Sequence, residues 1–97
     1  MAGHPLNEPC LLARVSGRVQ GVCFRHYTQV EANRLGLRGW VRNLSDGTVE
    51  ACFAGAKSQT EMMKRWLHQG PSYASVEHVE FTTATLPESC SSFSIRY

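Results

Sequence analysis

The sequence predicts one α+β domain in which two helices pack on one face of an antiparallel sheet. The chain has 97 residues, enough for a single domain. Apolar and polar residues alternate in several short stretches, as in half-buried strands, and two longer stretches show helical spacing. Hydrophobic residues make up 42% and charged residues 19%, a balance unlike that of disordered chains. Apolar runs are short, so we expect no membrane association.

The first helix is predicted between two segments that contain glycine. Alternation predicts a strand over residues 11–16, which Gly17 and Gly21 interrupt. Residues 22–35 contain no Gly or Pro, and Gly36 is expected to end the helix in the left-handed conformation. The buried side of this helix should carry the residues at helical spacing, Phe24, Thr28, Ala32 and Leu35.

The remainder of the chain predicts a hairpin, a second helix and two more strands. The expected elements are strands at 37–43 and 48–53 around a turn at 45–47, a helix at 57–69, and strands at 75–83 and 93–97. Gly70-Pro71 should end the second helix, whose buried face would be Met62, Met63, Trp66 and Leu67. This order, with its extra C-terminal strand, is a ferredoxin-like βαββαβ sandwich. That fold serves many functions and identifies none.

Domain limits and compartment are also predicted from composition. Residues 1–9 are expected to be a flexible leader, and residues 10–97 the folded domain. The leader lacks the features of a secretory signal, so we expect a cytoplasmic protein. The net charge of +2 is too small to indicate a nucleic-acid partner, although eight of the ten cations are Arg. No feature requires an oligomer, so a monomer is expected.

The cysteines predict neither a metal site nor a disulfide. The chain contains Cys10, Cys23, Cys52 and Cys90, and no two of them form a C-x-x-C pair. Cys23 and His26 form a C-x-x-H pair, but no second pair of ligands lies nearby in sequence. We therefore expect no metal ion, and four free thiols that fill small buried gaps.

The start of the first helix lacks any negative partner. No Ser, Thr, Asp or Asn is placed to cap its free amides, and Arg25 occupies the first turn. A cation at this end of a helix is unfavourable by about 0.3–1 kcal/mol. Gly17 and Gly21 allow the preceding backbone to curl into an anion-binding nest. An anion site and a water-capped helix with a solvated arginine both remain open, and the glycine spacing matches neither a P-loop nor a dinucleotide site.

Two longer motifs resemble those of the acylphosphatases. The first is Gly17-Arg18-Val19-Gln20-Gly21-Val22-Cys23-Phe24-Arg25, and the second covers residues 39–50. The similarity runs from about Ala13 to Val79 and reappears at residues 93–95. The resemblance implies a ferredoxin-like enzyme that hydrolyses the carboxyl-phosphate bond of small acyl phosphates. It implies no metal and no organic cofactor.

The resemblance also implies roles for individual residues. The family's substrate-binding arginine corresponds to Arg25, and its water-orienting asparagine to Asn43. Fixed amides and a guanidinium can stabilise the charge on a transferring phosphoryl group, and a carboxamide can hold a water molecule by donor and acceptor. The leaving carboxylate, with a pKa of about 4, needs no general acid. The phosphate would be held by the backbone amides of Gln20, Gly21, Val22, Cys23 and Phe24.

Two alternatives assign the chain a different chemistry. Cys23, close to a helix N-terminus, could act as a nucleophile. However, cysteine phosphatases have a longer loop between their Cys and Arg, so we expect a structural Cys23 and a surface His26. The second alternative is an RNA-binding sheet that uses Trp40 and Phe53, although no RNP-type motif surrounds them.

Overall fold

A computed structural model describes residues 7–21, 23–87 and 90–97 and confirms the predicted order of elements. Five strands form one sheet in the order β4-β1-β3-β2-β5. Neither helix in the described ranges combines the length and apolar character that a membrane span requires. The elements are β1 (Asn7–Arg18), α1 (Phe24–Arg34), β2 (Arg38–Asn43), β3 (Val49–Ala54), α2 (Lys57–Gln69), β4 (Ser75–Pro87) and β5 (Phe93–Arg96).

The fold class is as predicted, but the sheet is mixed instead of antiparallel, because its extra C-terminal strand pairs in parallel. β1 pairs antiparallel with β3 and β4, and β2 pairs antiparallel with β3. The chain crosses from β4 at one edge of the sheet to β5 at the other and reverses its direction, so β5 pairs parallel with β2. The parallel pair ends at Asn43 on β2 and at Arg96 on β5, so both strands deliver their last residues to the same end of the sheet.

The strands β1 and β4 are longer than the alternation predicts. β1 begins at Asn7, which pairs with Pro87, so the predicted boundary at residue 9 falls inside a strand. β4 likewise continues to Pro87 instead of ending at residue 83. The added residues of β1 and β4 pair with each other, and each strand supplies the hydrogen-bond partners of the other. Because the paired residues lie far apart in sequence, local alternation does not predict these extensions. The rest of the predicted leader, residues 1–6, lies outside the described residues.

The main core lies between the helices and one face of the sheet. The predicted stripe of α1 is confirmed, and its single polar member, Thr28, donates its hydroxyl to the Phe24 carbonyl at 2.7 Å. Gly36 follows with a φ of 70°, as predicted. On α2, Met63 is fully buried while Met62 is 44% exposed, so the predicted burial of Met62 is wrong. Consecutive helical residues point about 100° apart, and only one of them can face the sheet.

A second, smaller core contains a disulfide between Cys10 of β1 and Cys52 of β3. The expectation of four free thiols is therefore wrong for these two cysteines. The pairing of β1 with β3 brings their Cα atoms to 6.3 Å although 42 residues separate them in sequence. Cys90 and Cys23 are free thiols, but Cys23 is exposed and fills no buried gap. Disulfides are uncommon in the reducing cytoplasm, so the cytoplasmic location stays a prediction.

Reduction of the disulfide should lower the free energy of unfolding by about 2–4 kcal/mol, because the cross-link restricts the unfolded chain. Urea denaturation with and without dithiothreitol measures the change, and thiol titration verifies that the bond is reduced. Cys90→Ser serves as the matched control, since it keeps the Cys10–Cys52 bond. Equal stability of the reduced and oxidised proteins would contradict the prediction.

Candidate active site

A cavity of about 360 Å³ lies where the β1–α1 loop, the start of α1, the end of β2 and the C-terminus meet. It brings together Arg25 from the first sequence motif and Asn43 from the second. These are the two side chains to which the resemblance assigns catalytic roles. The residues that line the cavity beside them include Gly21, Cys23, His26 and Tyr97.

The loop before α1 passes through left-handed backbone. Gly21 has a φ of 75°, and Cys23, the N-cap of α1, has a φ of 60°. Cys23 is the one non-glycine residue with positive φ in the described ranges, a conformation that costs about 1–3 kcal/mol. The helix has no side-chain cap and no acidic residue in its first turn, as predicted. Within the described residues, the amides of Gly21, Cys23 and Phe24 donate to no backbone acceptor.

Arg25 is held by the C-terminal residues. Its Nη1 donates to the Arg96 carbonyl at 3.4 Å, and its guanidinium carbon lies 4.7 Å from the centre of the Tyr97 ring. Arg25 forms no ion pair with any carboxylate in the described part of the chain. A guanidinium carries five N–H donors, so most of them stay free for an anion. No sequence pattern indicated the role of Tyr97, because that role depends on β5 lying beside β2.

Asn43 is the last residue of β2 and pairs with Val49 of β3. Its half-buried side chain makes no hydrogen bond to another described residue. Both the carbonyl and the amide of the carboxamide are therefore available to hold a water molecule in the cavity.

Phe24 and His26 occupy the positions that the sequence analysis expected. The Phe24 ring is buried against Trp66, with ring centres 5.8 Å apart. His26 is exposed on α1, as predicted, although it also lines the cavity. Of the predicted phosphate-binding residues, Val22 lies outside the described residues.

Comparison with known proteins gives one family for this arrangement. The family model described as Acylphosphatase matches residues 11–95. The chain belongs to the acylphosphatase family. A protein of Pseudomonas paraeruginosa described as an acylphosphatase is 56% identical over 71 residues, which cover 73% of this chain and 78% of that protein.

Solved acylphosphatase structures share the fold. The acylphosphatase of Bacillus subtilis superposes with a TM-score of 0.86 at 33% identity, covering 93% of this chain and all of that one. The one from Coxiella burnetii gives 0.84 at 40% identity, covering 93% of this chain and 94% of that one. The protein is therefore an acylphosphatase, an enzyme that hydrolyses acyl phosphates, as the resemblance implied.

The sheet face of this acylphosphatase does not carry the aromatic pair that RNA binding would use. Phe53 is fully buried in the main core, so its predicted exposure in that alternative is wrong. Residues alternate across a strand, and Phe53 faces the helices while Trp40 packs against the second core. The centre of the Trp40 ring lies 5.2 Å from the guanidinium carbon of Arg42 and 4.7 Å from that of Arg96.

The turn that follows Asn43 is fixed by Asp46. One carboxylate oxygen, Oδ1, accepts from the Thr48 hydroxyl at 2.6 Å and from the Thr48 amide at 3.0 Å. The other, Oδ2, accepts from Arg14. The hydrogen bonds from Thr48, more than the one from Arg14, lower the pKa of Asp46 from 3.8 to about 2.

This lowered pKa predicts a pH-dependent contribution to stability. A carboxyl group with a lowered pKa in the folded state stabilises the fold above its unfolded pKa, and the contribution is lost as the pH falls through the folded pKa. The stability advantage of the wild type over Asp46→Asn should therefore be full above pH 4 and fade between pH 4 and about 2. Urea unfolding across this range measures it, and an NMR titration midpoint of Asp46 near 4 would contradict it.

Proposed function

We propose that this acylphosphatase hydrolyses small acyl phosphates by in-line attack of a water molecule held by Asn43. The phosphate would be bound by Arg25 and by the backbone amides of residues 20–24. The supporting observation is that Arg25 and Asn43 line one cavity together with the uncapped start of α1. All the proposed groups belong to one chain, so a monomer suffices for the reaction.

Binding of the phosphoryl group rests on fixed positive charge. The amides before α1 and the dipole of the helix favour an anion at this position. Arg25 adds a full charge, and a guanidinium suits the paired oxygens of a phosphate. Its contacts with Arg96 and Tyr97 restrict its orientation before the substrate arrives. The site therefore needs little reorganisation as charge builds on the equatorial oxygens in the transition state.

Asn43 would place the attacking water. Its carboxamide oxygen accepts a hydrogen bond from the water, which directs an oxygen lone pair towards phosphorus. A new phosphorus–oxygen bond forms as the bond to the acyl oxygen breaks, and the carboxylate leaves with that electron pair. Both protons of the water end on the phosphate product, one on the attacking oxygen and one on a phosphoryl oxygen. A carboxylate leaves without protonation, so the mechanism uses no general acid. The proposal includes no metal ion and no organic cofactor.

Comparison of an Arg25 variant with an Asn43 variant should separate phosphate binding from turnover. Arg25→Gln is expected to abolish measurable phosphate binding and to lower turnover by about 10²–10³-fold. Asn43→Ala should lower turnover by a similar factor with a smaller change in phosphate affinity, because the amides and Arg25 remain. Ultraviolet-monitored loss of benzoyl phosphate, with inorganic phosphate as competitor, measures both quantities.

Arg65→Gln is the matched control for Arg25→Gln, since Arg65 is exposed on α2 and does not line the cavity. Wild-type rates in the Arg25 variant would show that the proposed site is wrong.

Cys23 is the second candidate, because its exposed thiol lines the same cavity. The proposal uses only its backbone amide, so Cys23→Ser should keep turnover within about twofold of wild type, an effect below 1 kcal/mol on the barrier. A chelator should leave turnover unchanged. Loss of activity in Cys23→Ser, together with a thiophosphate that can be trapped on the wild-type enzyme, would favour the cysteine mechanism instead.

A further inference from the structure

Gln20 joins the two halves of the site through its side chain. Its Nε2 donates two hydrogen bonds of 2.8 Å, to the carbonyls of Leu44 and Thr48. These are the carbonyls that close the β2–β3 turn, since the Leu44 amide donates to Thr48 and the Gly47 amide donates to Leu44. The carboxamide nitrogen of Gln20 carries two hydrogens, and the turn accepts both.

The sheet itself does not fix these two halves against each other. β1, which leads into the phosphate-binding loop, and β2, which ends at Asn43, are separated by β3. No ladder of hydrogen bonds therefore links the end of β1 directly to the end of β2. The half-buried side chain of Gln20 spans this gap, and it contacts Leu44, the residue directly after Asn43.

We infer that Gln20 is a positioning residue, whose side chain sets the distance between Asn43 and the phosphate-binding loop. The inference rests on the proposed function, in which Asn43 aims water at a phosphate held by that loop. Reaction rates depend steeply on such alignment, so a small shift of Asn43 should lower kcat. Phosphate affinity should change little, because Arg25 is held separately by Arg96 and Tyr97.

The test is Gln20→Met, which keeps the length of the side chain and removes both donors. We expect kcat for benzoyl phosphate to fall about tenfold. This loss is smaller than the one that a full misplacement of the reacting groups can cause. The inhibition constant of inorganic phosphate should stay within about twofold of wild type. Circular dichroism and thermal unfolding verify that the variant is folded at the assay temperature.

Gln29→Met is the matched control. Gln29 also donates its side-chain amide to a backbone carbonyl, that of Phe93 at 3.3 Å, but among the described residues it makes no hydrogen bond to the turn after Asn43. This variant should keep both kcat and phosphate affinity. An equal loss of kcat in Gln29→Met would overturn the inference, because it would show that any such hydrogen bond affects turnover through general stability.

A double variant separates a positioning role from a merely structural one. If Gln20 acts through Asn43, Gln20→Met should change kcat by less than about twofold once Asn43 is already Ala. If kcat of the double variant falls by the product of the two single effects, the inference is overturned. The water-orienting role of Asn43 is then unaffected. Wild-type kcat in Gln20→Met would also overturn the inference. Wild-type kcat in Asn43→Ala would overturn the proposed function itself, and the inference with it.

Discussion

The candidate site depends on a positive charge at the start of α1 that no acidic side chain of the first turn compensates. Arg25 stands at the positive end of the helix dipole, and no acidic residue occupies the first turn. An arrangement of this kind is unfavourable by about 0.3–1 kcal/mol, and the left-handed conformation of Cys23 adds to the cost. The adjacent Phe24 is fully buried against Trp66, and burial of such a side chain contributes about 1.5–3 kcal/mol, which offsets a cost of this size. Packing therefore holds the helix start in place although no acidic residue of its first turn balances its charge.

The sheet order places the remaining groups around this charge. β5 runs parallel to β2, with Arg42 opposite Arg96, so the C-terminal Tyr97 comes beside the end of β2 that carries Asn43. The same crossing brings the Arg96 carbonyl and the Tyr97 ring to Arg25. The extra C-terminal strand thus completes the cavity wall, and it orients a guanidinium that belongs to a different element. An antiparallel β5 would have delivered its first residues, not its last, to this end of the sheet.

Sequence patterns predicted the features that depend on near neighbours and missed those that depend on strand order. Helical spacing placed Phe24 and Thr28 in the core, and the missing helix cap made an anion site beside Arg25 one of two open interpretations. The motif resemblance added Asn43, which periodicity alone could not distinguish from other strand ends. The disulfide and the Gln20 contacts went unpredicted, because each joins segments more than 20 residues apart whose proximity follows from the pairing around β3. Apart from the β2–β3 hairpin, which its turn signals, local patterns do not determine which strands become neighbours.

Stability and site geometry are controlled at opposite ends of β1. Cys10 lies near the beginning of this strand, and the loop that holds Gln20 follows its end, about 30 Å away at the rise of an extended chain. The disulfide cross-links β1 to β3 far from the cavity. It therefore restricts the conformations of the unfolded chain but does not fix the position of the Asn43 side chain. At the other end, two hydrogen bonds from one carboxamide bridge the gap that β3 leaves between β1 and β2. A change at the disulfide end can therefore alter the stability of the sheet, whereas the hydrogen bonds of Gln20 act next to Asn43, between the β1–α1 loop and the β2–β3 turn.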